Sequence, residues 1–283
     1  MRRQKLAAVG VPVMVALAIV GLGVPGGLTS RAQASAVKVT QVAGPRTAFR
    51  GVPTPKSKPE FDATFRGSHL NTKVWDTCYP QLANYNGGCS NWGNKQEAEW
   101  YLPSQVKVSG GVVRLVAQRK RTVGATSTGA RKVYGCRSGM ITSYPGLRFK
   151  YGFVQVVANI PHATGLWPAL WLAAANGKFP PEIDMVESWG VKTETASFFH
   201  PDSGKVSRAK YSPSLTRGWQ TYSLSWTKTR LRYYVGSRLV LTVTKDVPRQ
   251  PMYFIADLAE YLPAKRGDCS GQLDIRSVKI WKG

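Results

Sequence analysis

The 283-residue sequence predicts an all-β fold, a sandwich of two antiparallel sheets. Segments rich in β-branched and aromatic residues recur along the chain, and several alternate between apolar and polar positions. No segment keeps an apolar period of 3.6 residues for three turns, so no long amphipathic helix is predicted. The 28 glycines and 18 prolines between these segments are typical of the turns that connect strands.

Six segments carry the strand signal most clearly. TYSLSWT places Tyr222, Leu224 and Trp226 on one face and small polar residues on the other. The two residues Gly236-Ser237 separate two further segments, and glycine in the first position favours a type II′ hairpin turn. The six segments are VVRLVAQ (112–118), FVQVVANI (153–160), TYSLSWT (221–227), LRYYV (231–235), LVLTVT (239–244) and LDIRSVKIW (273–281).

The N-terminal 58 residues differ in composition from the rest. Residues 1–34 combine the basic start MRRQK, an apolar run and small residues in Ala-x-Ala spacing, which is typical of a signal peptide. An uncleaved membrane anchor is the alternative, because the apolar run is just long enough to span a bilayer. Residues 35–58 are rich in proline and basic residues, which indicates a linker or an exposed arm. We therefore expect a secreted protein with one domain, residues 59–283.

Four cysteines, Cys78, Cys89, Cys136 and Cys269, occur in the sequence, and an even number in an exported chain predicts two disulfides. Three pairings can be drawn. We favour Cys78–Cys89, which closes a loop rich in asparagine and glycine, with Cys136–Cys269 joining distant segments. A zinc site is not predicted, because no CxxC occurs and the three histidines are scattered.

The formal net charge of +24 predicts attraction to anionic polymers, such as acidic cell-wall polymers or sulfated polysaccharides. A basic surface that serves only solubility is the alternative. Secretion argues against nucleic acid as a partner, and we expect a monomer.

The chain concentrates its few acids in PPEIDMVE (180–187). It has 15 acidic residues in all, so six positions should hold roughly a third of one, yet Glu182, Asp184 and Glu187 fall within six. On the solvated face of an edge strand these acids would repel one another, and aspartate is depleted from strands. Retaining glycoside hydrolysis, in contrast, requires two carboxyl groups about 5–5.5 Å apart, one as nucleophile and one as acid/base.

The spacing of the three acids predicts a β-bulge. Alternation puts Glu182 and Asp184 on one face of a strand and Glu187 on the other. One extra residue, at Met185-Val186, returns Glu187 to the first face, and bulges are common beside active sites. Ionised Glu182 and Asp184 would then raise the pKa of Glu187 and keep it protonated as the acid.

Tryptophans surround the acidic stretch. GLWPALWL (165–172) supplies Trp167 and Trp171, Trp189 follows the acids, and WGN contains Trp92. Aromatic faces can stack on the apolar C–H face of a sugar ring. A core position is the alternative for any one tryptophan. We predict sugar contacts for Trp167 first and Trp189 next, with Trp92 and Trp171 as further candidates.

The stretch EIDMVE in this context resembles the bulged ExDxxE signature of glycoside hydrolase family 16, on the laminarinase side of that family. The resemblance extends over nearly the whole chain from about residue 60 to residue 283. The segments that match in order are NKQEAEWY (94–101), SGMITS (138–143), KYGFVQVVANIP (150–161), GLWPALWL (165–172), GWQTYSLSW (218–226), PMYFIADLA (251–259) and LDIRSVKIW (273–281).

The resemblance implies a β-jelly-roll with a concave substrate cleft, and endo-acting, retaining hydrolysis of a β-linked polysaccharide. It implies Glu182 as the nucleophile, Asp184 as the assisting acid and Glu187 as the acid/base. His200, in ASFFH, matches the cleft histidine of the family, and Asn94 is a further candidate for substrate binding.

Two departures from the family pattern are visible. Asp257, in DLAEY, stands where an amide is usual. The acidic doublet common near the first strand is reduced to Asp62, so the structural calcium ion found in some members would depend on Asp274. No cofactor is required for the implied reaction.

The expected substrate is a 1,3- or mixed 1,3-1,4-β-glucan. The alternatives are a galactan hydrolase of the agar or carrageenan type, a transglycosylase, and a polysaccharide-binding protein without turnover on the same scaffold. The last is disfavoured because such relatives lose the catalytic glutamates, whereas Glu182 and Glu187 are both present.

Overall fold

The computed structural model describes residues 52, 54–80, 82, 87–90, 94–189, 195–202, 204–262 and 269–283. The chain divides into residues 1–45 and 46–283, and every described residue belongs to the second unit. The predicted signal peptide (1–34), most of the predicted arm (35–58) and Trp92 lie outside the described residues. No helix within the described ranges has the length and apolarity needed to cross a membrane.

The regular secondary structure of the described residues is almost entirely β-strand, with two short 3₁₀ helices at Pro103–Gln105 and Pro213–Thr216. All six predicted strands are present. In chain order the strands are β1 (Phe61–Ala63), β2 (Glu99–Tyr101), β3 (Val106–Ser109), β4 (Val112–Ala125), β5 (Arg131–Ser138), β6 (Met140–Thr142), β7 (Gly152–Asn159), β8 (Leu166–Ala174), β9 (Glu182–Ser188), β10 (Thr195–His200), β11 (Ser207–Tyr211), β12 (Trp219–Trp226), β13 (Leu231–Val235), β14 (Arg238–Val243), β15 (Met252–Glu260) and β16 (Ser270–Lys282).

These strands form two sheets that pack face to face. The larger sheet has the order β14-β13-β12-β7-β16-β4-β5-β2, with β1 added to β16 and β3 to β4. The six-stranded sheet has the order β11-β10-β9-β8-β15-β6. Within the described chain the strand pairs are antiparallel except β2 with β5. The architecture is an open, two-sheet β-jelly-roll, which confirms the predicted fold class.

The hydrophobic core lies between the two sheets. Strand β12 contributes Tyr222, Leu224 and Trp226, which are fully buried, as their alternation predicted. The six-stranded sheet contributes Ile183 and Phe254, which are also fully buried. Because the inner faces are apolar, ionisable side chains of the six-stranded sheet are accommodated on its outer face.

The turn between β13 and β14 is the predicted hairpin. Val235 pairs with Arg238, so Gly236-Ser237 is the two-residue connection. Gly236 has a φ of 56°, whereas Ser237 is not among the residues with positive φ. A positive φ at the first central residue alone defines the type II′ turn.

Both predicted disulfides are present. Cys136–Cys269 joins β5 to the residue that precedes β16. Cys78–Cys89 lies over the outer face of the six-stranded sheet, where it packs in one cluster with Tyr79, Tyr101 and Trp171. This second disulfide and Tyr79 therefore cover one end of the outer face of the six-stranded sheet.

Candidate active site

The three acids of the PPEIDMVE stretch lie on β9, near the middle of the six-stranded sheet. Two adjacent residues of β8, Leu170 and Trp171, pair with Val186 and Asp184. Met185 is therefore the extra residue of a β-bulge. The predicted bulge at Met185-Val186 is confirmed by this register.

The bulge turns all three acids to one side of β9. Met185 and Val186 both belong to the core, at 2% and 0% exposed. Glu182 and Glu187 are half-buried and Asp184 is buried, on the opposite side of the strand. We call this outer side of the six-stranded sheet, which carries Glu182, Asp184 and Glu187, the acid-bearing face.

Glu187 is held at an aromatic wall. The indole Nε1 of Trp167 donates a 2.8 Å hydrogen bond to Oε1 of Glu187. The Trp167 ring lies 5.6 Å from the ring of Trp189 and 5.6 Å from that of Tyr261. The edge of Trp189 in turn meets Phe198 at 5.2 Å. The structure thus brings two of the predicted sugar-binding tryptophans, Trp167 and Trp189, beside the predicted acid/base.

His200 lies at the other two acids. Its Nε2 is 3.8 Å from Oε1 of Glu182 and 3.6 Å from Oδ2 of Asp184. Burial lowers the pKa of His200 to about 4, so the ring is neutral at neutral pH. Glu182, Asp184 and His200 offer ligand atoms within 4.8 Å of one another, which is close enough to hold a metal ion. The structure thus places His200, the predicted cleft histidine, beside Glu182 and Asp184.

A fourth carboxyl group, that of Asp257, reaches the same face from β15. Oδ1 of Asp257 accepts a 2.6 Å hydrogen bond from Nε1 of Trp171, and Oδ2 accepts a 3.1 Å bond from the Tyr101 hydroxyl. The side chain is only 5% exposed. Our residue predictions did not assign Asp257 to the site. The available signal was one acid in the apolar stretch MYFIADLA (252–259), at a position that shares a strand face with Tyr253 and Ile255.

Two more acids lie next to Asp257, on the segment around β2. Glu99 is fully buried, and its Oε2 accepts a 2.7 Å bond from the backbone N–H of Glu260. Glu97 accepts a 2.8 Å bond from the side-chain amide of Asn94. Glu97, Glu99 and Asp257 were not predicted to form a group, because β2 and β15 are far apart in sequence.

Burial raises the pKa values of the acids on β9, of Asp257, and of Glu97 and Glu99. It raises the pKa of Glu187 to about 8 and that of Asp257 to about 7, and it holds the pKa values of Glu182 and Asp184 well above their usual range. The pKa of Glu187 is raised, as predicted, but burial is its first cause, and the prediction did not include burial; the Trp167 N–H lowers this pKa and the charge of Asp257 raises it. Glu187 in turn raises the pKa values of Glu182 and Asp184, so the predicted repulsion among the three acids is present.

Two predicted sugar-binding residues make their contacts within the protein. Trp171 is 7% exposed, packs beneath Tyr79 at 6.2 Å, and donates its N–H to Asp257. Asn94 donates to Glu97 and accepts from the backbone N–H of Gln96. Contact of Trp171 and Asn94 with a sugar stays a prediction.

The described residues around Asp274 do not fit the implied calcium ion. Oδ2 of Asp274 accepts a 3.2 Å bond from Gln272, and Oδ1, which makes no hydrogen bond, lies 3.8 Å from Nε of Arg114. Calcium requires six to eight oxygen ligands, whereas Asp274 offers one carboxylate beside a guanidinium. The other acid implied for this region, Asp62, lies 3.7 Å from Lys279.

Comparisons with known proteins extend these observations. The family model of Glycosyl hydrolases family 16 matches residues 94–261. Endo-1,3-1,4-beta-glycanase ExsH of Rhizobium meliloti (strain 1021) is 28% identical over 201 residues, covering 66% of this chain and 42% of the relative. Endo-1,3-1,4-beta-glycanase EglC of the same organism is 27% identical over 225 residues, covering 74% and 47%. The chain thus spans less than half the length of these two relatives.

A solved structure shows the same fold. The endo-beta-1,3-glucanase from Pyrococcus furiosus has a TM-score of 0.67 to this chain at 22% identity, covering 79% of this chain and 94% of that one. The family match spans more than half of the sequence, from Asn94 through the bulged strand to Tyr261. The chain belongs to glycosyl hydrolases family 16.

Proposed function

We propose that this protein is a secreted, endo-acting glycoside hydrolase that cleaves 1,3- or mixed 1,3-1,4-β-glucan with retention of anomeric configuration. The observation that carries the proposal is the bulge at Met185, which puts Glu182 and Glu187 on one face with Asp184 between them. Two carboxyl groups on one face are what a double displacement requires. The activity named for ExsH and EglC supports the choice of glucan.

In the first step, Glu187 gives its proton to the glycosidic oxygen while a carboxylate oxygen of Glu182 attacks the anomeric carbon. The carbon–oxygen bond to the leaving sugar breaks, and a glycosyl ester with Glu182 forms. In the second step, Glu187 takes a proton from water, the resulting hydroxide attacks the same carbon, and Glu182 leaves. The raised pKa of Glu187 suits it to the first role, because a group with a pKa of about 8 is protonated at neutral pH.

Glu182 must be ionised to act as the nucleophile. Asp184 is the more deeply buried of the two neighbours, so ionising it costs more free energy than ionising half-buried Glu182. Glu182 and Asp184 titrate together, and we infer that the proton they share resides on Asp184. The neutral ring of His200, close to both, is placed to contact the same oxygen atoms or the substrate.

The aromatic wall supplies the binding surface in this proposal. Trp167 and Trp189 stand beside the acid/base, and Phe198 and His200 lie nearly parallel at 6.1 Å beside the nucleophile. Aromatic rings bind the apolar faces of sugars, and a chain of sugars laid across β9 would meet both groups.

The basic charge supports a second partner class, anionic polysaccharide. On the edge strand β11, Arg208 and Lys210 are exposed and pair with Phe198 and Ala196. Directly opposed residues point to the same side of a sheet, so both cations stand on the acid-bearing face, two strands from β9. We propose that acidic substituents of a polymer contact Arg208. If added salt weakens binding of an acidic polymer steeply in the wild type and less steeply in R208A, this contact is supported.

The test is a substrate panel of laminarin, mixed-linkage β-glucan, agarose and carrageenan, with reducing ends and product lengths measured. We expect new reducing ends from the glucans and none with E182Q or E187Q, both of which should fold normally. Proton NMR of the first product should show the β anomer. An α product would contradict retention, cleavage of agarose or carrageenan alone would favour the galactan alternative, and products longer than the starting oligosaccharide would show transglycosylation. Binding without turnover by the wild type would overturn the proposal.

A further inference from the structure

The bulge on β9 depends on one side chain of the neighbouring strand. The pairs Ala196–Glu187 and Phe198–Asp184 leave Ser197 alone opposite Met185 and Val186. The hydroxyl of Ser197 donates a 2.7 Å hydrogen bond to the carbonyl oxygen of Met185. The extra residue of a bulge is left out of the regular pairing, and here a side chain donates a hydrogen bond to its carbonyl group.

A second hydroxyl completes the contact. The hydroxyl of Tyr211, on β11, lies 3.2 Å from Oγ of Ser197. Ser197 has one hydroxyl proton, and that proton is directed to the Met185 carbonyl, which cannot donate. Tyr211 must therefore be the donor to Ser197, and burial raises its pKa above the ordinary value, so the phenol keeps its proton. The chain of donors runs from Tyr211 through Ser197 to Met185.

We propose that Ser197 and Tyr211 are positioning residues for Glu187, because their hydroxyl chain holds the bulge in the register that turns Glu187 to the acid-bearing face. This inference rests on the proposed function, in which Glu187 is the acid/base. Neither hydroxyl lies on the acid-bearing face as a substrate ligand: Ser197 is fully buried on the core side of β10. Their effect on the reaction passes through the backbone at Met185, two residues before Glu187.

The physical reason is the cost of the alternatives. Without the Ser197 hydroxyl, the Met185 carbonyl would lose its side-chain hydrogen bond in a buried environment, which is unfavourable. A regular strand would remove the bulge but would turn the carboxyl of Glu187 into the core, which costs more. We expect a compromise in which the bulge persists but relaxes, moving the Glu187 carboxyl away from its bond with Trp167. Small displacements of a reacting group slow catalysis strongly.

The test compares S197A with S197T, Y211F and a matched control, S143A. Ser143 is also fully buried and makes two hydrogen bonds, donating to Leu147 and accepting from Phe254, but it lies away from β9. We expect kcat for laminarin to fall roughly tenfold or more in S197A with KM within about twofold, and to fall less in Y211F. S197T, which keeps the hydroxyl, should retain most of kcat. S143A should lose thermal stability but not kcat, measured well below every melting temperature.

Equal kcat in S197A and the wild type, or a folded S197T as slow as S197A, would overturn the inference. If S197A does not fold, Y211F and S197T decide the question by the same criteria. A readout that needs no turnover is the titration of the Glu187 carboxyl by ¹³C NMR. Its midpoint should move in Y211F or S197A and not in S143A, and an unmoved midpoint would count against positioning. If the wild type hydrolyses nothing on the panel, the proposed function is refuted. The titration of Glu187 would still test the role of the Tyr211–Ser197 hydroxyl chain, because it needs no turnover.

Discussion

Asp257 and Glu187 stand in one row across the six-stranded sheet, with only Ala169 between them. Neighbouring strands are about 4.8 Å apart, so the two acids are separated by roughly 10 Å. The methyl group of an alanine fills little of that space, and Asp257 is nearly buried, so water screens its charge poorly. A charge on β15 therefore acts on Glu187, the proposed acid/base on β9.

Asp257→Asn should move the alkaline limb of the kcat profile to lower pH. Burial leaves Asp257 with a pKa of about 7, so it is ionised where Glu187, with a pKa of about 8, titrates. Removing that negative charge lowers the pKa of Glu187, so Glu187 loses its proton at a lower pH. The measurement is kcat against pH, with Asp62→Asn on the other sheet as the control. An alkaline limb that stays in place in D257N would show that the two acids do not interact.

Trp167→Phe should move the same limb in the opposite direction. The Trp167 N–H donates to Glu187 and lowers its pKa, because a donor stabilises the ionised carboxylate. Phenylalanine keeps an aromatic face but has no N–H, so the pKa of Glu187 should rise and kcat should persist to higher pH. The profile is measured at saturating substrate, which separates this effect from weaker sugar binding. A shift to lower pH would contradict the hydrogen-bond assignment.

The folded protein should be more stable at pH 5 than at pH 8. Burial raises the pKa values of Glu99 and Asp257 to about 7, above those of the unfolded chain, so their contribution is full below about pH 4 and is lost as pH rises through 7. His200 acts the other way, because its lowered pKa of about 4 makes its contribution disappear as pH falls below about 6.5. The buried acids outnumber this one histidine.

Calorimetric melting temperatures across this range, in about 0.15 M salt to screen surface repulsion, test the prediction. Glu99→Gln should flatten the curve, because glutamine has no proton to lose. A melting temperature that rises steadily from pH 5 to pH 8 would mean that the buried acids do not dominate.

The two disulfides should contribute unequally to stability. Cys136–Cys269 bridges residues 133 positions apart, whereas Cys78–Cys89 bridges residues 11 apart. Closing a longer loop restricts the unfolded chain more, by about 2 kcal/mol for this ratio of lengths. The double variant C136S/C269S should therefore melt at a lower temperature than C78S/C89S. The second variant should instead lose more activity, because its disulfide packs on the acid-bearing face beside Trp171. Equal melting temperatures would refute the loop-length argument.

Chelation should leave the melting temperature unchanged. Asp274 faces Arg114 at 3.8 Å, and a cationic side chain beside the single carboxylate disfavours calcium. Melting curves recorded with excess EDTA, and again with added calcium, test this point. A rise of several degrees with calcium would show that backbone oxygens complete a site around Asp274.

The strand pattern, the hairpin turn and the bulge could all be predicted from the sequence, because each follows from rules that act on neighbouring residues. Alternation places side chains on faces, so Tyr222, Leu224 and Trp226 were predictable as core. The same rule required an extra residue between Asp184 and Glu187 if both were to face one side. A group of functional residues that lies on one strand can therefore be predicted from the spacing of those residues.

Only the tertiary structure decided which distant residues meet those acids. Asp257 reaches Glu187 because β15 pairs with β8, and Tyr211 reaches Ser197 because β11 pairs with β10. Trp171 lies 6.2 Å from Tyr79 because the Cys78–Cys89 disulfide packs on the outer face of the six-stranded sheet. Strand order is set by how whole sheets bury apolar surface, so the residue pattern within one strand does not predict which strands lie beside it. Burial, which sets the pKa values, is likewise a property of the assembled sheets.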